Sequence, residues 1–304
     1  MGYHIIHVLG HGSHLSVDRG CLVCKTLEGE ERRAPTDDIL ALVIAARGVS
    51  FSGEVLSRIL SSNGIILHCD ENYRPCGKTV PLSTVVHSDI FARQIASPPA
   101  FCAAVWDKIL KAKVENHANL LDSIGAKHGL REMLAGKIDE GNAARHYWKR
   151  YFSFYGRKGP QTRETQSAEH PVNQMLNYTY AVLSAILHRS LIIHGFNTNL
   201  GVHHRYRFKA EPLLYDFFEP LRPVCDCLLL KFYLANKRGD IKLWMKQVAK
   251  DLLGVQLGVG GKKIKLLNAI DRYASSAGRA FESGLAGLME IPMLAVGSNG
   301  EKSK

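Results

Sequence analysis

The sequence predicts an α+β protein in which a small N-terminal β-rich domain, residues 1–85, precedes an all-helical domain, residues 86–304. Three observations carry this expectation. Over roughly the first 85 residues, short β-branched or apolar runs are separated by Gly, Asp and Asn, the pattern of strands and turns. Beyond that point nearly all apolar positions follow the period of an α-helix. The chain has 304 residues, 46% hydrophobic and 22% charged, so it is long enough for about two domains and has a globular composition. Large-scale disorder and small disulfide scaffolds are excluded.

In the N-terminal part the strand segments are Tyr3 to Leu9, Cys21 to Leu27, Ile39 to Ile44 and Ile65 to Cys69. Between them Gly53 to Ser62 reads as one helix, with Val55, Leu56, Ile59 and Leu60 in an apolar stripe and Ser52 as N-cap. Arg74, Pro75 and Cys76-Gly77 break the pattern, and Pro81 precedes a segment expected to turn helical from about Val85. Helices are then expected at Ala100 to Lys113 behind Pro98-Pro99, and at Glu140 to Phe152 behind Asp139. Another runs from Val172 to His194 behind Pro171, a residue suited to a first helical turn. The last three cover about Leu213 to Leu234, Ile241 to Leu252 and Ile264 to Ser283. Gly156 to Glu169, with Gly159-Pro160, reads as a long loop, and Gly297 to Lys304 as a frayed tail.

Lys and Arg total 39 against 28 Asp and Glu, a net charge of +11. Such a surplus favours a polyanionic partner, because each phosphate neutralised by Lys or Arg releases counterions; a charge that serves only solubility is the bland alternative. No apolar run approaches the ~18–20 residues that span a bilayer, and Met1 to Gly10 lacks the features of a secretory signal. The expectation is a cytoplasmic protein without membrane contact. Its seven cysteines fit reduced thiols in that compartment. Cys21 and Cys24 form a CxxC, but no second pair completes a zinc site, and Cys225 and Cys227 are too close to act as one.

Other features read as structural. Gly254 to Lys263 is glycine-rich but lacks the Walker spacing and the Ser or Thr after Lys, so it reads as a turn. His4, His7, His11 and His14 have no acidic partners at matching spacing. Tyr147, Trp148, Tyr151, Phe152 and Phe154 would suit base stacking, but aromatics at these intervals more often pack a core.

Three segments of the helical part offer oxygen and imidazole ligands. Glu140 opens a helix that carries Arg145; by itself this is more simply a carboxylate placed against the helix dipole and a solvated arginine. Gly201-Val202-His203-His204 is the second segment, and Asp216 to Pro223 the third. Asp216, Glu219 and Arg222 are three apart, on the helix face opposite Leu214, Phe217, Phe218, Leu221, Cys225 and Leu228. An exposed Glu219–Arg222 pair worth a few tenths of a kcal/mol is the simple reading. Pro220 and Pro223 complicate it, since both disrupt a helix and place Glu219 at a kink or junction, its carboxylate aimed into a cleft.

Four motifs now stand in order: Glu140-Gly-x-x-Ala-Arg-x-Tyr147, Asn173-x-x-Leu176-Asn177-Tyr178-x-Tyr180, Gly201-x-His203-His204, and Asp216-x-x-Glu219-Pro220-x-Arg222-Pro223-x-x-Asp226. Together they resemble the CRISPR-associated adaptation integrase, the first member of the Cas series, in its type II version. Asp37-Asp38-Ile39, Val43-Ile44, Gly64-Ile65, Cys69-Asp70, Pro75 and Arg93-Gln94-Ile95 also fall where that family has them, so the resemblance covers about residues 3 to 280.

The resemblance implies a divalent ion, Mg²⁺ or Mn²⁺, held by Glu140, His204 and Glu219, with Asp216 in support. It selects His204 over His203 by the spacing to Glu219. The resemblance breaks off at Arg205 to Pro212, which replaces the Asn- and Phe-rich stretch usual in type II relatives, so the local DNA contact is expected from Arg205, Arg207 and Lys209 instead, with Arg145 and Arg222 as candidates for phosphate contacts. It further implies a homodimer formed through the N-terminal domain and joined by a small second adaptation protein in a heterohexamer, with the type II effector nuclease as a further candidate partner. The activity implied is insertion of short double-stranded spacer precursors into the CRISPR repeat array, together with endonuclease activity. The residue chemistry agrees: two carboxylates and one imidazole leave positions open for water and phosphate oxygens, and suit Mg²⁺ or Mn²⁺. A metal-dependent nuclease for branched or single-stranded DNA, and a non-catalytic DNA-binding scaffold, are the rival readings.

Overall fold

The structure, a computed structural model, describes residues 4–82, 88–165, 168–205, 210–236 and 239–295. Eight of its strands come first and most of its helices after, as the period change predicts, but a further two-stranded hairpin lies within the part expected to be all-helical. Strands β1 (His4–Val8), β2 (His14–Asp18), β3 (Cys21–Lys25), β4 (Glu31–Pro35), β5 (Ile39–Ile44) and β6 (Ser50–Phe51) precede helix α1 (Gly53–Ser61), β7 (Ile65–Cys69) and β8 (Pro75–Thr79). They form two four-stranded sheets, ordered β1-β5-β7-β8 and β4-β3-β2-β6. In the first, β1, β5 and β7 run parallel and β8 closes the edge antiparallel.

The β5 sequence Ile-Leu-Ala-Leu-Val-Ile is buried throughout. A parallel strand covered on both faces reads as such an unbroken apolar run. Leu42 and Ile44 pack with Leu15, Leu22, Val55 and Ile59 in a core between the sheets and α1. Ala41 and Val43 point the other way and join Ile5, Ile65 and Leu67 in the core shared with the helices.

Four of these strands, β2, β4, β6 and β8, escape the sequence pattern. Glu31-Arg32-Arg33-Ala34-Pro35 is largely exposed edge strand, so it carries charge where the pattern seeks apolar residues. The break expected at Arg74 to Gly77 is instead a hairpin. Asp70 Oδ1 accepts from the amides of Asn72 and Arg74 at 2.8 Å, and Pro75 opens edge strand β8, where it deprives no neighbour of a donor.

The helices are α2 (Ser88–Ala96), α3 (Pro99–Ser123), α4 (Leu130–Leu134), α5 (Glu140–Ser153), α6 (Pro171–Ile193), α7 (Pro212–Phe218), α8 (Arg222–Asn236), α9 (Ile241–Gly254) and α10 (Leu266–Ser283). Helix α6 is buried along most of its length and packs on β5, β7, α8 and α9, joining the sheet to the helices. Helix α3 does not stop at Lys113: it continues through Asn116, His117 and Asn119, polar residues that are buried.

The described residues between Gly156 and Glu169 are more structured than a loop reading suggests. They open with a 3₁₀ turn at Gly156–Lys158, and Gly159, Pro160 and Ala168 are buried. The turn expected in Gly254 to Lys263 joins strands β9 (Gln256–Val259) and β10 (Lys262–Lys265), with φ of 55° at Gly260 and 77° at Gly261. The expected boundary at residues 85 and 86, Tyr3 and the tail from Gly297 lie outside the described residues. Among the described residues no helix is long and apolar enough to cross a membrane.

Candidate active site

Helix α5 is capped by Asp139, whose Oδ1 accepts from the Asn142 amide at 3.1 Å. That cap fixes where the helix begins and makes Glu140 its first residue. Glu140 shares a stripe with buried Ala143, Tyr147 and Tyr151, one turn apart, so its carboxylate lies at the inner edge of the helix.

Glu219 is positioned by proline. Helix α7 ends at Phe218, a 3₁₀ turn covers Glu219–Leu221, and α8 starts at Arg222. The single helix expected over Leu213 to Leu234 is therefore two, with Glu219 at the junction that Pro220 and Pro223 impose. Asn116 on α3 secures the junction: its side-chain amide donates to the carbonyls of Pro220 at 2.8 Å and Pro292 at 3.0 Å, and its oxygen accepts from the Leu294 amide at 2.8 Å.

The exposed Glu219–Arg222 pair of the simple reading is not found. Glu219 and Asp216 are buried, 5% and 0% exposed, because α3 covers the face the helical wheel assigns to solvent. Lys113 reaches between the two acids from α3, its Nζ 2.8 Å from Glu140 Oε1 and 2.7 Å from Glu219 Oε2. Arg222 Nε lies 3.1 Å from the same Glu219 oxygen, its guanidinium over the rings of Tyr180 and Phe218. Burial opposes ionisation of Glu219, but Arg222 and Lys113 outweigh it and hold its carboxyl at about 2. Burial likewise opposes the Lys113 ammonium, and the two carboxylates, Glu219 foremost, reverse the effect and raise its pKa. The site thus holds an ionised Glu219 between two stable cations, Lys113 and Arg222.

His204 comes from the loop before α7. Asp216 accepts from the amides of Val202, His203 and His204 at 2.8, 3.0 and 3.2 Å, and lies 2.6 Å from His204 Nδ1. The loop folds tightly at Gly201, where a Cβ would collide with the His204 carbonyl and the Pro212 ring. With Nδ1 tied to Asp216, the ring presents Nε2, and His204 is near enough to Glu219 to act on its ionisation. His203 lies flat on Trp106 at 4.0 Å between ring centres. These two rings, His204, Cys102 and Arg205 line a cavity of about 460 Å³.

Behind the site, His117 is buried one turn from Lys113 and stacks on Tyr147 at 3.6 Å; burial and then the Lys113 charge push its pKa well down. Asp226 accepts from the hydroxyls of Tyr147 and Tyr180, both at 2.6 Å. Burial raises its pKa to about 6 against those two bonds.

The structure thus brings Glu140 and Glu219 around one cation position, with His204 close by and Asp216 committed to His204 and its loop. Arg222 faces inward on Glu219 and also lines a separate cleft of about 840 Å³ with Arg163, Lys78 and Tyr180. Arg145 is exposed, 3.5 Å from Asn142, and Arg205 is exposed at the cavity rim. Arg207 and Lys209 lie outside the described residues. Tyr147, Tyr151 and Phe152 are core residues, and Trp148 and Phe154 pack against that core.

Sequence reasoning missed Lys113, Asn116, His117 and Trp106. The signal was present: Lys113, Asn116 and His117 recur at one-turn spacing on a helix that is otherwise apolar on that face.

The donors fit a divalent cation. Glu219 Oε2 is buried and close to two cations but makes no well-aligned hydrogen bond, leaving lone-pair capacity unused. Two carboxylates and a histidine nitrogen oriented by a carboxylate are a donor set suited to Mg²⁺ or Mn²⁺. As arranged, no three His, Cys, Asp or Glu side chains among the described residues enclose an ion, and Lys113 stands between two of the donors.

A family model described as "CRISPR associated protein Cas1" matches residues 6–140 and 138–266. A relative from Neisseria meningitidis serogroup C, named "CRISPR-associated endonuclease Cas1", is 28% identical over 286 residues, 91% of each chain. Among solved structures, a casposase bound to integration product superimposes with TM-score 0.78 at 18% identity, covering 93% of this chain and 91% of that one. A Cas6-RT-Cas1–Cas2 complex matches with TM-score 0.76 at 14% identity, covering 96% of this chain and 36% of that one. At these identities the two structures share the fold.

Proposed function

Since the chain belongs to the CRISPR-associated Cas1 family, we propose that it is a metal-dependent DNA endonuclease and integrase of CRISPR adaptation, with Glu140, His204 and Glu219 as its ligands. The observation that supports this most is the convergence of Glu140 and Glu219, from two separate helical elements, on one buried cation position. The family relatives carry the name endonuclease. The fold neighbours include a casposase bound to integration product and an assembly with Cas2, which accords with DNA and a small second adaptation protein as partners. A homodimer, a heterohexamer with that second protein and contact with the type II effector nuclease belong to the same reading.

Mg²⁺ or Mn²⁺ held by these three side chains supplies charge neutralisation at a phosphodiester and at the attacking oxygen. The protein's own part is positional. Arg222 keeps Glu219 ionised, Asp216 orients His204 with Nε2 outward, and Asn116 fixes the turn that carries Glu219. Arg205, exposed at the cavity rim, and exposed Arg145 are the residues proposed to contact phosphates. In strand transfer the spacer 3′-hydroxyl attacks phosphorus in the repeat. One phosphodiester forms as one breaks, and a repeat 3′-hydroxyl leaves with the balancing proton.

The test is integration of labelled duplex with free 3′-hydroxyls into a repeat-bearing plasmid in the presence of Mn²⁺ and the second adaptation protein. The expected result is product from the unaltered chain and none from Glu140→Ala, His204→Ala or Glu219→Ala. Product retained in these variants refutes the site. Cleavage without joining indicates the plain nuclease, and binding without cleavage the scaffold.

A further inference from the structure

We infer that Lys113 is a built-in counter-cation of the Glu140–Glu219 pair, and that a divalent ion enters this site by displacing the Lys113 ammonium. The inference rests on the ligand assignment above and adds a residue to which that assignment gives no part.

Lys113 lies mid-helix in α3, where its residue is 8% exposed. A lysine this buried is unusual unless paired, and its partners here are the two proposed ligands. Its Nζ stands 2.8 Å from Glu140 and 2.7 Å from Glu219, so it fills the ground between them. Two other groups at the Glu219 junction are of a different kind. Arg222 is held from behind by Tyr180 and Phe218, and Asn116 is spent on Pro220, Pro292 and Leu294. Lys113 is the member of the group on a long, flexible stem with a compact charge, able to withdraw without unpacking a ring or a turn.

Two consequences follow. Without metal, the ammonium ties α3, α5 and the α7–α8 junction together and offsets the repulsion between two close carboxylates. When metal binds, ammonium and ion cannot share the same oxygens at close range, so the observed metal affinity is the intrinsic one reduced by the cost of moving Lys113. Full occupancy therefore needs more free cation than bare carboxylates would require.

The test uses the full chain, stripped with EDTA, and reads Mn²⁺ binding by calorimetry or by the paramagnetic signal of free Mn²⁺. Lys113→Met keeps the aliphatic stem and removes the charge. It is expected to bind Mn²⁺ at least about tenfold more tightly and to show a larger Mn²⁺-induced rise in Tm. Lys113→Arg, which keeps a cation, is expected to show no such gain. In the unaltered chain, lysine-directed acylation read by mass spectrometry should be slow at Lys113 in EDTA and several-fold faster in saturating Mn²⁺, with exposed Lys111 unchanged. Unchanged or weaker Mn²⁺ binding by Lys113→Met, or equal labelling with and without Mn²⁺, overturns the inference. Labelling needs no variant and decides the matter even where Lys113→Met does not fold. Glu219→Gln separates the two levels: if it leaves Mn²⁺ binding intact, the ligand assignment itself has failed, whereas its loss beside an unaltered Lys113→Met refutes the displacement alone.

Discussion

Asp216→Asn is a strict test of the histidine loop. Asp216 is fully buried, and its carboxylate accepts three backbone N–H groups at 2.8–3.2 Å while contacting His204 Nδ1 at 2.6 Å. An amide of the same shape offers one oxygen in place of two and turns an NH₂ towards groups that are themselves donors. A hydrogen bond to a charged group contributes about 1.5–3 kcal/mol, and with one oxygen remaining about 3 kcal/mol in total should be lost. At about 2–4 °C per kcal/mol for a chain of this size, Tm should fall by roughly 6–12 °C in a thermal melt. With His204 no longer held, Mn²⁺ affinity should drop by about 10–100-fold, the usual penalty for losing such an orienting carboxylate. A variant that melts within about 2 °C of the unaltered chain and binds Mn²⁺ as well would refute the positioning argument.

Asn116→Ala removes the bonds to Pro220, Pro292 and Leu294 and should cost about 3 kcal/mol in urea unfolding, read as a lower midpoint at constant slope. Arg222→Lys keeps the charge but loses the planar group over Tyr180 and Phe218, and a cost of about 1–2 kcal/mol is expected in the same assay. The two buried carboxyls should give opposite pH slopes. Glu219 has a depressed pKa, so its contribution is present above about 4.5 and is lost as pH falls towards about 2. Glu219→Gln should lack that acid loss. Asp226 has a raised pKa, so the folded chain keeps a proton the unfolded chain releases, and stability falls as pH rises from about 4 to about 6. Between pH 4 and 7, Asp226→Asn should therefore gain on the unaltered chain by about 3 kcal/mol in urea titrations. A constant difference across that range would refute the role given to Asp226.

What the sequence revealed and what it hid have one physical origin. Periodicity detects apolar residues, so β5, with six consecutive buried residues, and α6 were plain from the letters. The proline pair placed Glu219 at a junction because the ring's clash with the preceding turn is local and needs no knowledge of the fold. Strand β4 was hidden because its register depends on β3 while its own side chains face water. The far half of α3 was hidden for the reverse reason: its interior face carries Lys113, Asn116 and His117, polar groups whose burial is tolerable only when carboxylates and carbonyls from distant segments complete them. Those are the residues that assemble the site. A helix that looks ended because its core face turns polar is thus a place to search for buried chemistry, since burial of that face commits the fold to supplying partners. The surplus of +11 does not reveal this, because at the site the two acids are met by two cations, Lys113 and Arg222. Net charge describes what the surface attracts, while the local pairing sets which cation the carboxylates hold.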